Sequence, residues 1–193
     1  MSPFPLGILA ASGGVEAVAA YDLLETTTLA SDASSVSFNG LQAYTEYKHL
    51  QVRIQARSRR ASGSSGDTLA LRINNDTGNN YANHALRGDD FGGFRGLSFS
   101  VPNGDSIRLE TVTADNAEAN ENYGSLIVDL LDSFENSKNK TVRSFGGRNA
   151  GISLIGLGSG FRNNTEPITS LEFFAISANT AAGSKFSLYG IKG

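Results

Sequence analysis

Apolar and polar residues alternate with a period of two through HLQVRIQARSR, residues 49–59. Leu50, Val52, Ile54 and Ala56 fall on one side and Gln51, Arg53, Gln55 and Arg57 on the other. Successive side chains of an extended strand point to opposite faces, so this stretch predicts a strand with one dry face. TLALRIN repeats the pattern with Leu69, Leu71 and Ile73. The Gly/Ser-rich ARSRRASGSSGD between the two reads as a hairpin loop, which predicts that these strands pair antiparallel.

The same signature recurs along the chain. YDLLETTTLA, SVSFNGL, SIRLETVT and YGSLIVDLLD read as further strands, the last with Leu126, Val128 and Leu130 on one face. KTVRSFGG, GISLIGLGSG, ITSLEFFAIS and SKFSLYGIK follow at roughly ten-residue spacing, the rhythm of a sandwich or barrel. GDDFGGFRG is too rich in glycine for regular structure before Leu97. Only residues 123–134 hint at a helical stripe, and their Leu, Ile and Val suit a buried strand equally well. No repeat of fixed period and no linker divides the 193 residues, a length within the range of one domain. The expectation is an all-β protein of about ten strands: residues 1–20 form an extended arm and residues 21–193 one β-sandwich.

Composition narrows the function classes. The net charge of −3 gives no basic surface for phosphates, so nucleic acid is not expected as a partner. Cysteine is absent, which removes disulfides, thiolate catalysis and sulfur-ligated zinc together. No apolar run approaches the ~18 residues that a spanning helix needs, and no membrane partner is expected. The opening MSPFPLGILAASGGVEAVAA ends in an A-x-A pattern. It lacks Lys and Arg, and Gly13, Gly14 and Glu16 interrupt its short apolar core, so it reads as an arm rather than a cleaved leader.

Candidate sites carry bland readings beside functional ones. INNDTGNNYANHALRG, residues 73–88, is a turn signal, because Asn, Asp and Gly tolerate positive φ and bond their own backbone. It also offers hard oxygen ligands at Asn74, Asn75, Asp76 and Asn80, as do Asp89 and Asp90, yet neither spacing matches a calcium loop. No metal and no cofactor is expected. There is no G-x-S-x-G, H-E-x-x-H or P-loop. His49 reads as a strand-end residue, and His84 as a residue lining the core or a groove. A glycosidase would need two facing carboxylates, which Asp89, Asp90, Asp105 and Asp129 do not reveal in sequence. The chain is not expected to be an enzyme.

GGFRG and GLGSGF, residues 92–96 and 156–161, lack a following helix and a Lys-Ser/Thr pair, so turn chemistry is expected there. The tripeptide Arg87, Gly88, Asp89 and the sequons at Asn75, Asn139 and Asn163 are short matches of little weight. Tyr81, Phe91, Phe94 and Phe99 form either an exposed aromatic loop surface or the lid of a sandwich core.

The order FPLGILAASGG, YDLLETTTLA, YKHLQVRIQARS, LRINNDTGNNYANHALRG, ITSLEFFAIS and SKFSLYGIKG resembles small virion proteins of tailed bacteriophages. The resemblance covers nearly the whole chain in framework residues and brings no catalytic residue with it. It implies an antiparallel jelly-roll-like sandwich that assembles with itself, commonly as a homotrimer, and with the major capsid protein. The role it implies is that of a cement or decoration protein on the outer surface of the head. In that reading Pro3, Phe4, Pro5, Leu6, Ile8 and Leu9 are the arm's anchors on capsid or neighbouring subunits. The alternative is a tail-fibre, receptor-binding or carbohydrate-binding module working through Tyr81, Phe91 and Phe94.

Overall fold

The computed structural model describes residues 20–61, 66–90, 95–114, 122–149 and 153–193. They form an all-β sandwich of twelve strands, where the sequence suggested about ten. In chain order these are β1 (Tyr21–Thr28), β2 (Val36–Asn39), β3 (His49–Ser58), β4 (Gly66–Ile73), β5 (Tyr81–Asp89) and β6 (Arg95–Gly104). They continue with β7 (Ile107–Ala114), β8 (Gly124–Leu131), β9 (Lys140–Arg148), β10 (Leu154–Arg162), β11 (Ser170–Ala175) and β12 (Lys185–Ile191). A short 3-10 turn at Leu41–Tyr44 follows β2.

Eight strands make the larger layer in the order β1-β12-β3-β8-β9-β10-β5-β6, all antiparallel. The smaller layer runs β2-β11-β4-β7 and is stitched to the larger by a short parallel pairing of Arg57 and Ser58 in β3 with Thr113 and Ala114 in β7. Edge strand β6 tolerates Pro102, which has no N–H for a ladder, because only one of its sides is paired.

The expected β3–β4 hairpin does not form. β3 pairs with β12 and β8, whereas β4 pairs with β11 and β7, so the chain crosses from one layer to the other between them. Both strands carry one apolar face, and the two faces bury each other across the sandwich; alternation alone does not separate that arch from a hairpin. At the crossing, buried Ser58 donates to Asp67 Oδ2 at 2.7 Å, and Asp67 also accepts from the backbone N–H groups of Thr68 and Ser177.

The core lies between the layers. Leu50, Val52 and Ile54 of β3, with Leu126, Val128 and Leu130 of β8, meet Leu69, Leu71 and Ile73 of β4. Phe186 of the large layer packs at 5.8 Å against Phe173 with the rings tilted by 45°, and Phe173 meets Phe38 edge-on at 6.3 Å, so one aromatic run bridges both sheets. Each such fully buried side chain contributes about 1.5–3 kcal/mol.

A second correction concerns GLGSGF. It is no turn: β10 runs straight through it, paired on both sides from Leu154 to Arg162. Gly156, Gly158 and Gly160 face inward and Ile155, Leu157, Ser159 and Phe161 outward. The bare inner side is required by β7, which crosses close above β9 and β10. A Cβ on Gly160 would lie 2.7 Å from Ile107 Cγ2, and one on Gly156 would overlap the Glu110 carboxylate.

Candidate functional site

With glycine turned inward, β10 turns its apolar side chains to solvent, and neighbouring strands continue them. The register aligns Ile127 in β8 with Phe145 in β9, Phe145 with Leu157 in β10, and Leu157 with Leu86 in β5. These four are 41%, 47%, 57% and 63% exposed, and Ile155 beside them is 52% exposed. Cross-strand neighbours stand about 5 Å apart, so the result is one continuous apolar row rather than scattered surface residues. Shallow depressions of about 460 and 310 Å³ flank Phe145, the first reaching Arg53 and the second Leu86.

The adjoining row on the same face is polar. Gln51 donates to Asp129 Oδ1 at 2.8 Å, Arg143 approaches Asp129 Oδ2 at 3.4 Å, and Ser159 and His84 continue the line. Arg53 closes the apolar row on the β3 side, its guanidinium 4.7 Å from the Tyr189 ring centre and 5.8 Å from that of Tyr21. Beyond the polar row, a third depression of about 430 Å³ is lined by His84, Asn139, Thr141, Ser159 and Phe161.

Behind the apolar row lies a buried carboxylate. Glu110 of β7 is fully buried and accepts from Arg87 Nε of β5 at 2.9 Å. Burial pushes its carboxyl above the usual value, against the opposing pull of Arg87. Its Oε1 has no hydrogen-bond partner among the described residues. It is sealed from solvent between the layers and reaches no groove.

The asparagine-rich stretch is a turn. Asn74 and Asn75 hold φ of 57° and 54°, a region that Asn tolerates. Asn74 Oδ1 accepts from Thr169 N–H at 2.7 Å and its Nδ2 donates to Pro167 O, tying the turn to the segment before β11. Asp76 accepts from Arg162 Nε at 2.8 Å, from Gly78 N–H and from Asn80. Burial pushes its carboxyl up, and these donors together bring it below the usual range. Among the described residues no group of three or more His, Asp or Glu is placed to hold a metal ion.

The other sequence candidates disperse. His49 opens β3 and its Nδ1 accepts from Asp132 N–H at 2.9 Å, while His84 is exposed on the outer face. Asp105 pairs with Arg72, Asp129 with Gln51, and Asp90 Oδ1 accepts from Ser153 N–H, three separate engagements. Arg87 of the adhesion-like tripeptide lies in β5 against Glu110, and Asn75, Asn139 and Asn163 are all exposed.

Tyr81 is no surface residue. It is 1% exposed, accepts from Ile73 N–H at 3.0 Å and reaches the Ile73 and Asp76 carbonyls, so it takes the core alternative. Phe91 and Phe94, and the arm residues Pro3, Phe4, Pro5, Leu6, Ile8 and Leu9, lie outside the described residues. Sequence reasoning missed the outward row. The readable signal was glycine alternating with Ile155, Leu157 and Phe161, which assigns the apolar side chains to whichever face glycine leaves.

Neither a protein-family model nor a curated protein sequence matches the chain. Among solved structures, a Scytalido-glutamic peptidase with a peptide-based transition-state analogue aligns with a TM-score of 0.29 and 12% identity, over 84% of this chain and 66% of that one. A fructofuranosidase from Schwanniomyces occidentalis complexed with fructosylnystose aligns at 0.29 and 4%, over 91% and 35%. A protein of unknown function from Shewanella oneidensis aligns at 0.27 and 10%, over 89% and 75%. The chain thus spans less than two thirds of the first two, and likeness at these scores carries nothing about activity.

Proposed function

We propose that this chain is a non-enzymatic structural protein of a tailed-phage virion, a cement protein that docks on the outside of the head and clamps neighbouring major capsid subunits. The observation that carries the reading is the apolar row Ile127, Phe145, Leu157 and Leu86 on the outer face of the larger sheet. A contiguous exposed apolar strip rimmed by polar residues is the mark of a protein contact surface. The titratable groups support it too: Glu110, Asp76, Asp105 and Asp129 are each taken up in ion pairs or hydrogen bonds. Clamping adds stability to a shell by mass action, since the bound form must lose those contacts before subunits separate. The protein assembles with itself, as a homotrimer, through the same kind of surface.

Quantitative mass spectrometry of purified particles tests this. A copy number of the same order as the major capsid protein is the expected result, and a number lower by tens overturns the cement role. The depression beside Phe161, with His84, Asn139, Thr141 and Ser159 around an aromatic ring, favours a second reading as a carbohydrate-binding tail module. Selective glycan binding that is lost on Phe161→Ala would establish that reading instead.

A further inference from the structure

The outer face of the large layer carries its projections and hollows side by side. Along β10 the outward residues are Ile155, Leu157, Ser159 and Phe161, and the register sets them beside Gly147, Phe145, Arg143 and Thr141 of β9. Outside the central pair of Leu157 and Phe145, each pairing joins a large side chain to a small one. Such a surface complements a copy of itself. A two-fold axis running along the strands between β9 and β10 lays β10 of one copy over β9 of the other, so each cross-strand neighbour is met again from across the contact. Ile155 descends on the second copy's Gly147, Phe161 on its Thr141 and Arg143 on its Ser159, while Leu157 meets Phe145 at the centre. Sheets packed face to face keep their strands within about 30° of each other, which holds this register near the axis.

The flanking strands agree with the same axis. It lays β8 over β5, so Ile127 meets the second copy's Leu86, and the Asp129 carboxylate meets its His84 imidazole. Asp129 bonds to Gln51 yet keeps 27% of its side chain exposed. Moving the axis one strand toward β8 would set Arg53 over Leu157, and moving it one strand toward β5 would leave Ile127 uncovered. Turning it across the strands would set Asp129 over Ser125 and Arg143 over Gly147, each away from an opposite charge. The area is also sufficient. In plan, the six strands from β3 to β6 by seven residues cover ~29 Å by ~23 Å, roughly 670 Å² per copy before side-chain relief is counted, the scale of the ~800 Å² that a stable pair buries on each partner.

We propose that the occupant of this face is a second copy of the chain, docked about a two-fold axis between β9 and β10, with Ile155 seated on the second copy's Gly147 and Asp129 opposite its His84. The proposal rests on the reading of the face as a protein contact surface and names its partner. A trimer held together elsewhere pairs through it with another trimer. The test uses the free protein, so its failure leaves the particle copy number standing, and a low copy number leaves the pair standing.

Sedimentation equilibrium of the full chain at micromolar concentration is expected to give an even number of copies, and Phe145→Asp is expected to halve the mass. An odd number of copies, or a mass that Phe145→Asp leaves unchanged, overturns the proposal. A charge exchange tests the register. His84→Asp sets carboxylates against each other at both ends of the contact and is expected to weaken pairing about tenfold, with Asp129→Lys added to the same chain restoring most of it. Within one chain the two positions lie ~14 Å apart, so only the two-fold brings them together. Failure of this rescue also overturns the proposal.

Discussion

The carboxylate of Glu110 on β7 occupies the space that a Cβ on Gly156 of β10 would fill. The absence of one methyl group therefore lets the two layers close around a buried ion pair. Gly156→Ala is expected to destabilise the fold by about 1–3 kcal/mol, because the Glu110 carboxylate must move aside and its buried pairing with Arg87 moves with it. Leu157→Ala, one residue on but facing solvent, should cost less than about 0.5 kcal/mol. Urea unfolding of the two variants measures the contrast, and equal losses would mean that the layers have slack at this point.

Glu110 also sets a pH dependence of unusual sign. Its folded carboxyl lies above the ordinary value of 4.5 because burial disfavours the ion more than Arg87 restores it. As pH rises through 4.5 the unfolded chain releases this proton first, so the group's contribution to stability falls until the folded value is passed. Glu110→Gln removes this slope. Losing the counter-charge of Arg87 adds a penalty that does not vary with pH in this range. The stability of the variant minus that of the parent should therefore rise as pH climbs from 4.5 towards the raised folded value in urea titrations; parallel curves would place the titration elsewhere.

Asp76 works in the opposite direction. Its burial cost is outweighed by Arg162, Gly78 and Asn80, so the folded carboxyl lies below 3.8. The stability it supplies is complete above 3.8 and is lost as pH falls through the lower folded value. Asp76→Ala leaves Arg162, whose side chain is 4% exposed, without its nearest carboxylate, and should cost about 3 kcal/mol near neutrality and progressively less in acid. Because its oxygens are already taken, millimolar calcium should not move the thermal midpoint of the parent protein. A rise on adding calcium would reopen the turn as a metal site.

On the outer face, Phe145→Asp and Leu157→Asp place charge in the middle of the apolar row. Both should leave the unfolding midpoint nearly unchanged, since the parent side chains are about half exposed. Occupancy of the variant protein on purified heads is expected to drop at least tenfold, which sedimentation with particles reads out. Undiminished occupancy would move the docking surface elsewhere.

How far these features were legible depends on what each residue pattern encodes. The alternation of Leu50, Val52, Ile54 and Ala56 names a strand and its dry face, and β3 is that strand. It does not name the neighbour, because the same alternation serves a hairpin and an arch between layers, and Ser58 with Asp67 sits at the arch. In β10 the glycines of residues 156–161 suggested a turn and left the facing of the strand unread: Ile155 and Leu157 look outward because β7 needs the inner side bare. That requirement comes from Glu110, more than forty residues earlier in the chain, and no local window contains both. Tyr81 was ambiguous for a similar reason, since its hydroxyl partners Ile73 and Asp76 are identified only once the turn between them has closed.

β12, the last strand in the chain, lies between β1 and β3, two of the first. A ribosome making this protein therefore holds an unfinished large layer until residues 185–191 have emerged, with β1 having no bed to pair on and the flank of β3 uncovered. Folding must wait on synthesis, and contacts between such distant parts of a chain form slowly. Truncation of a few residues before Ile191 should then cost the N-terminal strand as well as the C-terminal one.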